Sequence, residues 1–155
     1  MSDIYFCDAS VLVKRHVQEI GSKWFSNLAD LRTGNKIIIS RLSLIEAISA
    51  FNRRFRALSL SRNDYQKVSQ DFEAFCFTEY QIIEITQNVT VKAKELLENY
   101  PLRAGDAIQL ASAWLANEIL TQAKFPELIF LASDQKLLDA AKAENLQIDN
   151  PQNHP

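Results

Sequence analysis

Short β-branched runs alternate along the chain with longer stretches in which apolar residues recur every three or four positions. The runs at 4–7 (IYFC), 36–40 (KIIIS), 80–86 (YQIIEIT) and 127–133 (ELIFLAS) predict strands, and 146–149 (LQID) a short last one. Helical spacing predicts helices over 10–16, 22–32, 43–58, 61 to about 75, 89–100, 103–120 and 134–144. Gly34 ends the second of these, Pro101 lies just beyond the fifth, and Ser61 with Asp64 three residues on gives a capping-box start to the fourth. The segment 103–120 leaves little room for solvent on one side (Ala107, Ile108, Leu110, Ala111, Trp114, Leu115), which predicts a helix lying against the sheet. Alternation of this kind predicts an α/β fold with a mostly parallel central sheet and helices on both faces. No repeat or linker divides the chain, so residues 1–150 form one expected domain and 151–155 a C-terminal tail.

Composition narrows the chemistry. The 155 residues are 47% hydrophobic, enough for a buried core, and the formal charge of -2 provides no global basic field for indiscriminate nucleic-acid binding. Any nucleic-acid contact must be local. Cys7 and Cys76 show no CxxC spacing, no basic-then-apolar leader opens the chain and no run reaches membrane-span length. A reduced, cytoplasmic protein without a membrane partner is expected. The three glycines form no phosphate-cradling loop, and two histidines, His16 and His154, supply neither a Ser-His-Asp triad nor HExxH zinc chemistry.

Four carboxylates stand out. Ligands of parallel sheets collect beyond the carboxyl ends of the strands, and Asp8 and Asp134 directly follow the first and fourth predicted strands. Glu46 falls in the first turn of the helix after the second strand, and Asp106 in the first turn of the long apolar helix. Each also suits a helix start: Asp8 and Asp134 as caps, Glu46 as the partner of Ser43 in a capping box, Asp106 through the helix dipole. Coincidence explains four such placements less well than a shared cation does. Carboxylates gathered at one spot stay ionised only beside compensating charge, and a hard divalent cation such as Mg2+, or Mn2+ in its place, provides it through a few carboxylate oxygens, water and substrate phosphate. Zinc is disfavoured by the scarcity of histidine and paired cysteine.

These residues carry a resemblance. Through YFCDASVLVKRHVQEIGS, ISRLSLIEAISAFNRRFRA, LRAGDAIQLASA, FLASDQKLLDAAKAENL and the closing NP, the chain resembles PIN-domain ribonucleases, most closely the VapC-like toxins of bacterial toxin–antitoxin pairs. The resemblance implies a three-layer α/β/α sandwich and metal-dependent endonucleolytic hydrolysis of RNA that leaves 5'-phosphate and 3'-hydroxyl ends. It places the family's acidic quartet on Asp8, Glu46, Asp106 and Asp134, with Asp134 at its most variable position and Ser10 and Ser133 as supporting groups. One departure is Gln109, where relatives often carry histidine. An antitoxin partner and a homodimer are further family expectations.

For substrate or antitoxin contacts the candidates are Arg103, Arg53 and Arg54, with Lys14, Arg15 and Lys136 as possible rim residues. Phe51, Phe55, Phe72, Phe75 and Phe77 predict first a packed helix pair and second a clasp for a partner helix; Trp24 and Trp114 are expected in the core. Three other readings stand beside the toxin nuclease. A phosphatase using Asp8 as nucleophile lacks the second aspartate of a D-x-D pattern. A catalytically silent PIN module would bind RNA or protein without cutting, and a processing nuclease would share the chemistry but not the toxin role.

Overall fold

The computed structural model describes residues 2–155. Five strands, β1 (Ile4–Cys7), β2 (Lys36–Ser40), β3 (Gln81–Ile83), β4 (Ile129–Leu131) and β5 (Gln147–Asp149), form one sheet in the order β3-β2-β1-β4-β5, every pair parallel. Among the described residues seven α-helices connect or follow them: α1 (Ala9–Leu12), α2 (Ser22–Leu28), α3 (Leu42–Arg56), α4 (Arg62–Thr78), α5 (Gln87–Asn99), α6 (Ala104–Gln122) and α7 (Gln135–Ala143). The three-layer α/β/α sandwich with a parallel central sheet is therefore present, and the sheet is parallel throughout.

The period of two along each strand sorts the core into two halves. Phe6, Ile38 and Phe130 face α5, α6 and α7, with Phe6 and Phe130 stacked at 5.8 Å between ring centroids. Cys7, Ile37, Ile39 and Leu131 face α1 to α4, where Phe25, Phe51 and Phe72 are fully buried. Strands buried on both faces explain the near-continuous apolar runs read in the sequence.

Element boundaries shift where side chains offer the backbone an alternative. The helix expected over 22–32 stops at Leu28 because Asp30 accepts a hydrogen bond from the Arg32 amide and caps a separate 3-10 turn, Leu31–Thr33, which Gly34 closes at φ 76°. The segment expected as one helix over 10–16 is α1 followed by a 3-10 turn, Val13–Arg15. Ser61 does accept from the Asp64 amide, at 3.0 Å, as its spacing predicts, but α4 runs on to Thr78 because Phe72 and Cys76 continue its buried face.

Trp24 packs against the core from its edge, whereas Trp114 lies outside it. Trp24 is half-buried and stacks on His154 at 4.1 Å, while the Lys92 ammonium lies 4.1 Å from the centroid of half-buried Trp114. An indole buries its apolar body while exchanging solvent for a flat or cationic neighbour. His154 also bonds Asp149 at 3.0 Å, so the segment after residue 150 is tied down. Gly21, at φ 88°, makes this possible: a Cβ there would stand 2.4 Å from the Pro151 carbonyl oxygen. Of the five phenylalanines considered for a clasp, Phe51 and Phe72 are core, and Phe77 is 67% exposed.

Candidate active site

The chain leaves β1 toward α1 on one face of the sheet and β4 toward α7 on the other. A crevice therefore opens between the carboxyl ends of these adjacent strands, where the strand order reverses. Asp8 and Asp134 stand at its two lips. α3 and α6 bring in Glu46 and Asp106, so all four acids line one cleft of about 700 Å³, together with Ser10, Ser133, Arg53 and Arg103.

Asp8 is held tightly. Its amide donates to the Leu131 carbonyl at 3.0 Å and its Oδ2 accepts from the Ser10 hydroxyl at 2.8 Å, while the Ser133 amide donates to Ser10 Oγ at 3.4 Å. Ser10 thus links the start of α1 to the loop after β4. Asp8 occupies the cap position of α1 without a side-chain cap hydrogen bond of full geometry, although the Ser10 backbone amide lies close enough to favour its ionised form. Burial pushes its carboxyl up to about 6; the Ser10 hydroxyl lowers it, and the charges of Glu46 and Asp106 raise it further. Burial also raises Asp106, against the Arg103 backbone and with Asp134 adding in the same direction as burial.

The other capping readings divide. Asp134 does cap α7, its Oδ1 accepting from the Lys136 amide at 2.9 Å. Glu46 forms no capping box with Ser43, because α3 begins at Leu42 and Ser43 lies inside it, fully buried. Glu46 instead reaches across to α6. Gln109, with no exposed surface, donates through Nε2 to Glu46 Oε1 at 2.7 Å and to Ser43 Oγ at 2.8 Å. One turn earlier, a Cβ on Gly105 would lie 2.9 Å from Glu46 Oε2. Neither contact was visible as a site feature in the sequence; the available signals were a buried-face glutamine in an otherwise apolar helix and a glycine four residues before it.

The basic rim is smaller than expected. Arg15 turns away to Glu79 at 3.2 Å and the Tyr80 hydroxyl at 3.0 Å, with its guanidinium over Phe75. Lys14, 4% exposed, pairs with Glu19, and Arg54 pairs with the same carboxylate. These partners lie in an adjoining groove that shares Ser10, Arg53 and Ser133 with the acidic cleft. Lys136 is exposed but does not line the cleft. Arg53 and Arg103 remain as the arginines beside the four acids, neither paired with a carboxylate among the described residues.

Among the described residues, no group of three or more His, Cys, Asp or Glu side chains is gathered closely enough to hold a metal ion by itself. The donor set nevertheless suits a hard cation that keeps much of its water. All four acids are oxygen donors, Asp8 is buried beside two like charges, and the buried Ser133 hydroxyl oxygen has no hydrogen-bond partner.

The family model for the PIN domain matches residues 5–143. The chain belongs to the PIN domain family. Two curated proteins of Mycobacterium tuberculosis, Ribonuclease VapC45 and Ribonuclease VapC49, are each 29% identical over 152 residues, covering 98% of this chain and 98% of their own. Among solved structures, VapBC2 from Rickettsia felis bound to a promoter DNA fragment superposes with a TM-score of 0.62 at 17% identity, over 95% of this chain and 98% of that one. FitAcB from Neisseria gonorrhoeae gives 0.63 at 14%, over 96% and 97%. At these identities the structures speak for the PIN fold alone. No helix among the described residues is long and apolar enough to cross a membrane.

Proposed function

We propose that this PIN domain is a Mg2+- or Mn2+-dependent endoribonuclease and the toxin of a toxin–antitoxin pair. The observation that carries the reading is Asp8: a buried carboxylate at the sheet's switch point, facing Glu46 and Asp106 with no cationic side chain bonded to it among the described residues. Asp8, Glu46 and Asp106 would hold the cation, with Asp134 at the opposite lip. When bound, the ion supplies charge for the scissile phosphate and lowers the pKa of a coordinated water.

The chain's own residues do the positioning. Ser10 orients Asp8 by donating to Oδ2, and the Ser133 amide holds Ser10, so the two lips of the crevice keep their spacing. Arg53 and Arg103 flank the acids and would bind phosphates of the RNA on either side of the cut. Hydrolysis by water needs no 2'-hydroxyl nucleophile, so the products carry 5'-phosphate and 3'-hydroxyl ends. The names of the relatives and the toxin–antitoxin complexes among the fold's solved neighbours support an antitoxin partner.

The test is cleavage of end-labelled structured RNAs by the purified chain with Mg2+, Mn2+ or EDTA, with and without the product of a reading frame adjoining the gene. Metal-dependent cutting suppressed by that product is expected; metal binding without cutting of any RNA would favour a silent binding module. The arginines separate in the same assay. Arg53→Ala and Arg103→Ala are each expected to raise KM several-fold and to reduce the salt slope of RNA binding by about 1. Arg54→Ala is expected to change both much less, because that guanidinium is tied to Glu19 in the adjoining groove and does not line the acidic cleft. Equal effects at all three positions would assign the arginines to a diffuse basic surface.

A further inference from the structure

Gly105 and Gln109 occupy successive turns of one face of α6, and both meet Glu46 of α3. We infer that this pair is a seat that fixes the Glu46 carboxylate in the acidic cleft, with Gln109 acting as a positioning residue; the inference rests on the metal-nuclease reading above.

Three observations converge. Gln109 spends both amide protons on α3, one on Glu46 Oε1 and one on Ser43 Oγ. Its Oε1 is buried without any hydrogen-bond partner, a cost that a simple packing residue would not carry and that an apolar side chain of the same length would avoid. Glycine at 105 leaves the space that Glu46 Oε2 occupies, since a Cβ would approach it to 2.9 Å. Gly105 is helical and has no positive φ, so backbone conformation does not require it there. The donor therefore holds one oxygen while the missing side chain makes room for the other. Ser43, inside α3 and fully buried, fixes the glutamine amide in turn.

A carboxylate anchored by one oxygen keeps its second oxygen directed, and supports of this kind commonly change metal affinity 10–100-fold when removed. The deciding experiment compares the full chain with Gln109→Met, which keeps length without the donor, Gln109→His, which returns an N–H, and Gly105→Ala. Mn2+ affinity by calorimetry, thermal melting in EDTA, and crystal structures without metal are the readouts. Gln109→Met and Gly105→Ala are expected to weaken Mn2+ binding about tenfold while melting no lower than the wild type, with Glu46 displaced in the crystals and affinity restored toward wild type in Gln109→His. Unchanged Mn2+ affinity and an unmoved Glu46 in both variants would overturn the seat. Lowered melting with unchanged affinity would do the same, by making Gln109 a packing residue. If the wild type itself binds no Mn2+, the metal reading fails, while the crystallographic position of Glu46 still tests the seat.

Discussion

Asp8→Asn is expected to abolish metal-dependent RNA cleavage and, in EDTA, to make the protein more stable. The first effect follows from removing a charged oxygen donor at the centre of the cleft. Loss of several kcal/mol of transition-state charge stabilisation corresponds to a fall of about 10³-fold or more in kcat/KM. The second follows from burial: an ionised Asp8 in the folded chain is disfavoured first by its removal from water and then by Glu46 and Asp106. With a folded pKa near 6 against the ordinary aspartate value of 3.8, ionisation costs the native state about 3 kcal/mol at neutral pH. Asparagine keeps the shape and can still accept the Ser10 hydroxyl, but it carries no charge. Allowing for burial of its amide, the net gain is about 2 kcal/mol, or roughly 4–8 °C in Tm for a domain of this size. Thermal melts in EDTA at pH 7.5 check the sign; an Asp8→Asn protein that melts below the wild type would show the carboxylate to be a stabilising cap. Adding Mn2+ should reverse the order, because only the wild type gains stability from a ligand that binds the native state.

Asp8 was legible in the sequence because of where its charge falls. A charge directly after an apolar strand breaks the local pattern, and the pattern of strands places it at the functional edge of the sheet. Asp134 was legible for the same reason, and there the capping reading also proved right, since one carboxylate oxygen bonds the Lys136 amide. Glu46 does line the cleft, but one turn further into its helix than expected, and the competing capping-box reading with Ser43 fails because α3 starts at Leu42 and the serine is turned into the α3–α6 contact. What fixes Glu46 is 63 positions away along the chain, beyond any local pattern. The basic rim failed in the same way. Lys14, Arg15 and Arg54 read as free charges because their partners, Glu19 and Glu79, are set by how α1, α3 and α4 pack rather than by spacing. Strand and helix identities depend on periodicity and were readable; which charges neutralise one another depends on tertiary contacts and was not.

His16 carries the second large effect, and its sign is opposite to that of Asp8. The ring sits among Phe51, Phe72 and Phe75, with centroids at 6.1, 5.7 and 5.4 Å, and its Nε2 is buried without a partner. Burial, then the adjacent Arg15 charge, lowers its pKa from 6.5 to about 4, against a smaller opposing pull from Asp71. The native state therefore holds the neutral ring, and the stability this contributes is complete above pH 6.5 and is lost as pH falls toward 4. Because the ring is only partly buried, the loss is about 2 kcal/mol rather than the full value of the shift. Asp8 runs the other way over an overlapping window. Its folded pKa lies above the unfolded one, so its penalty is present above about pH 6 and relieved as pH falls through 6 toward 3.8. In the wild type the two slopes largely cancel, and urea denaturation in EDTA between pH 6.5 and 4.5 should show little net contribution from the pair. His16→Leu, which fills the aromatic pocket without a titrating group, is expected to gain stability relative to wild type by about 1–2 kcal/mol on acidification across that window. Asp8→Asn is expected to lose its advantage over the wild type across the same window, because only the wild type is relieved by protonating Asp8. A His16→Leu curve parallel to the wild type would place the imidazole in contact with water and remove this account of the acid limb.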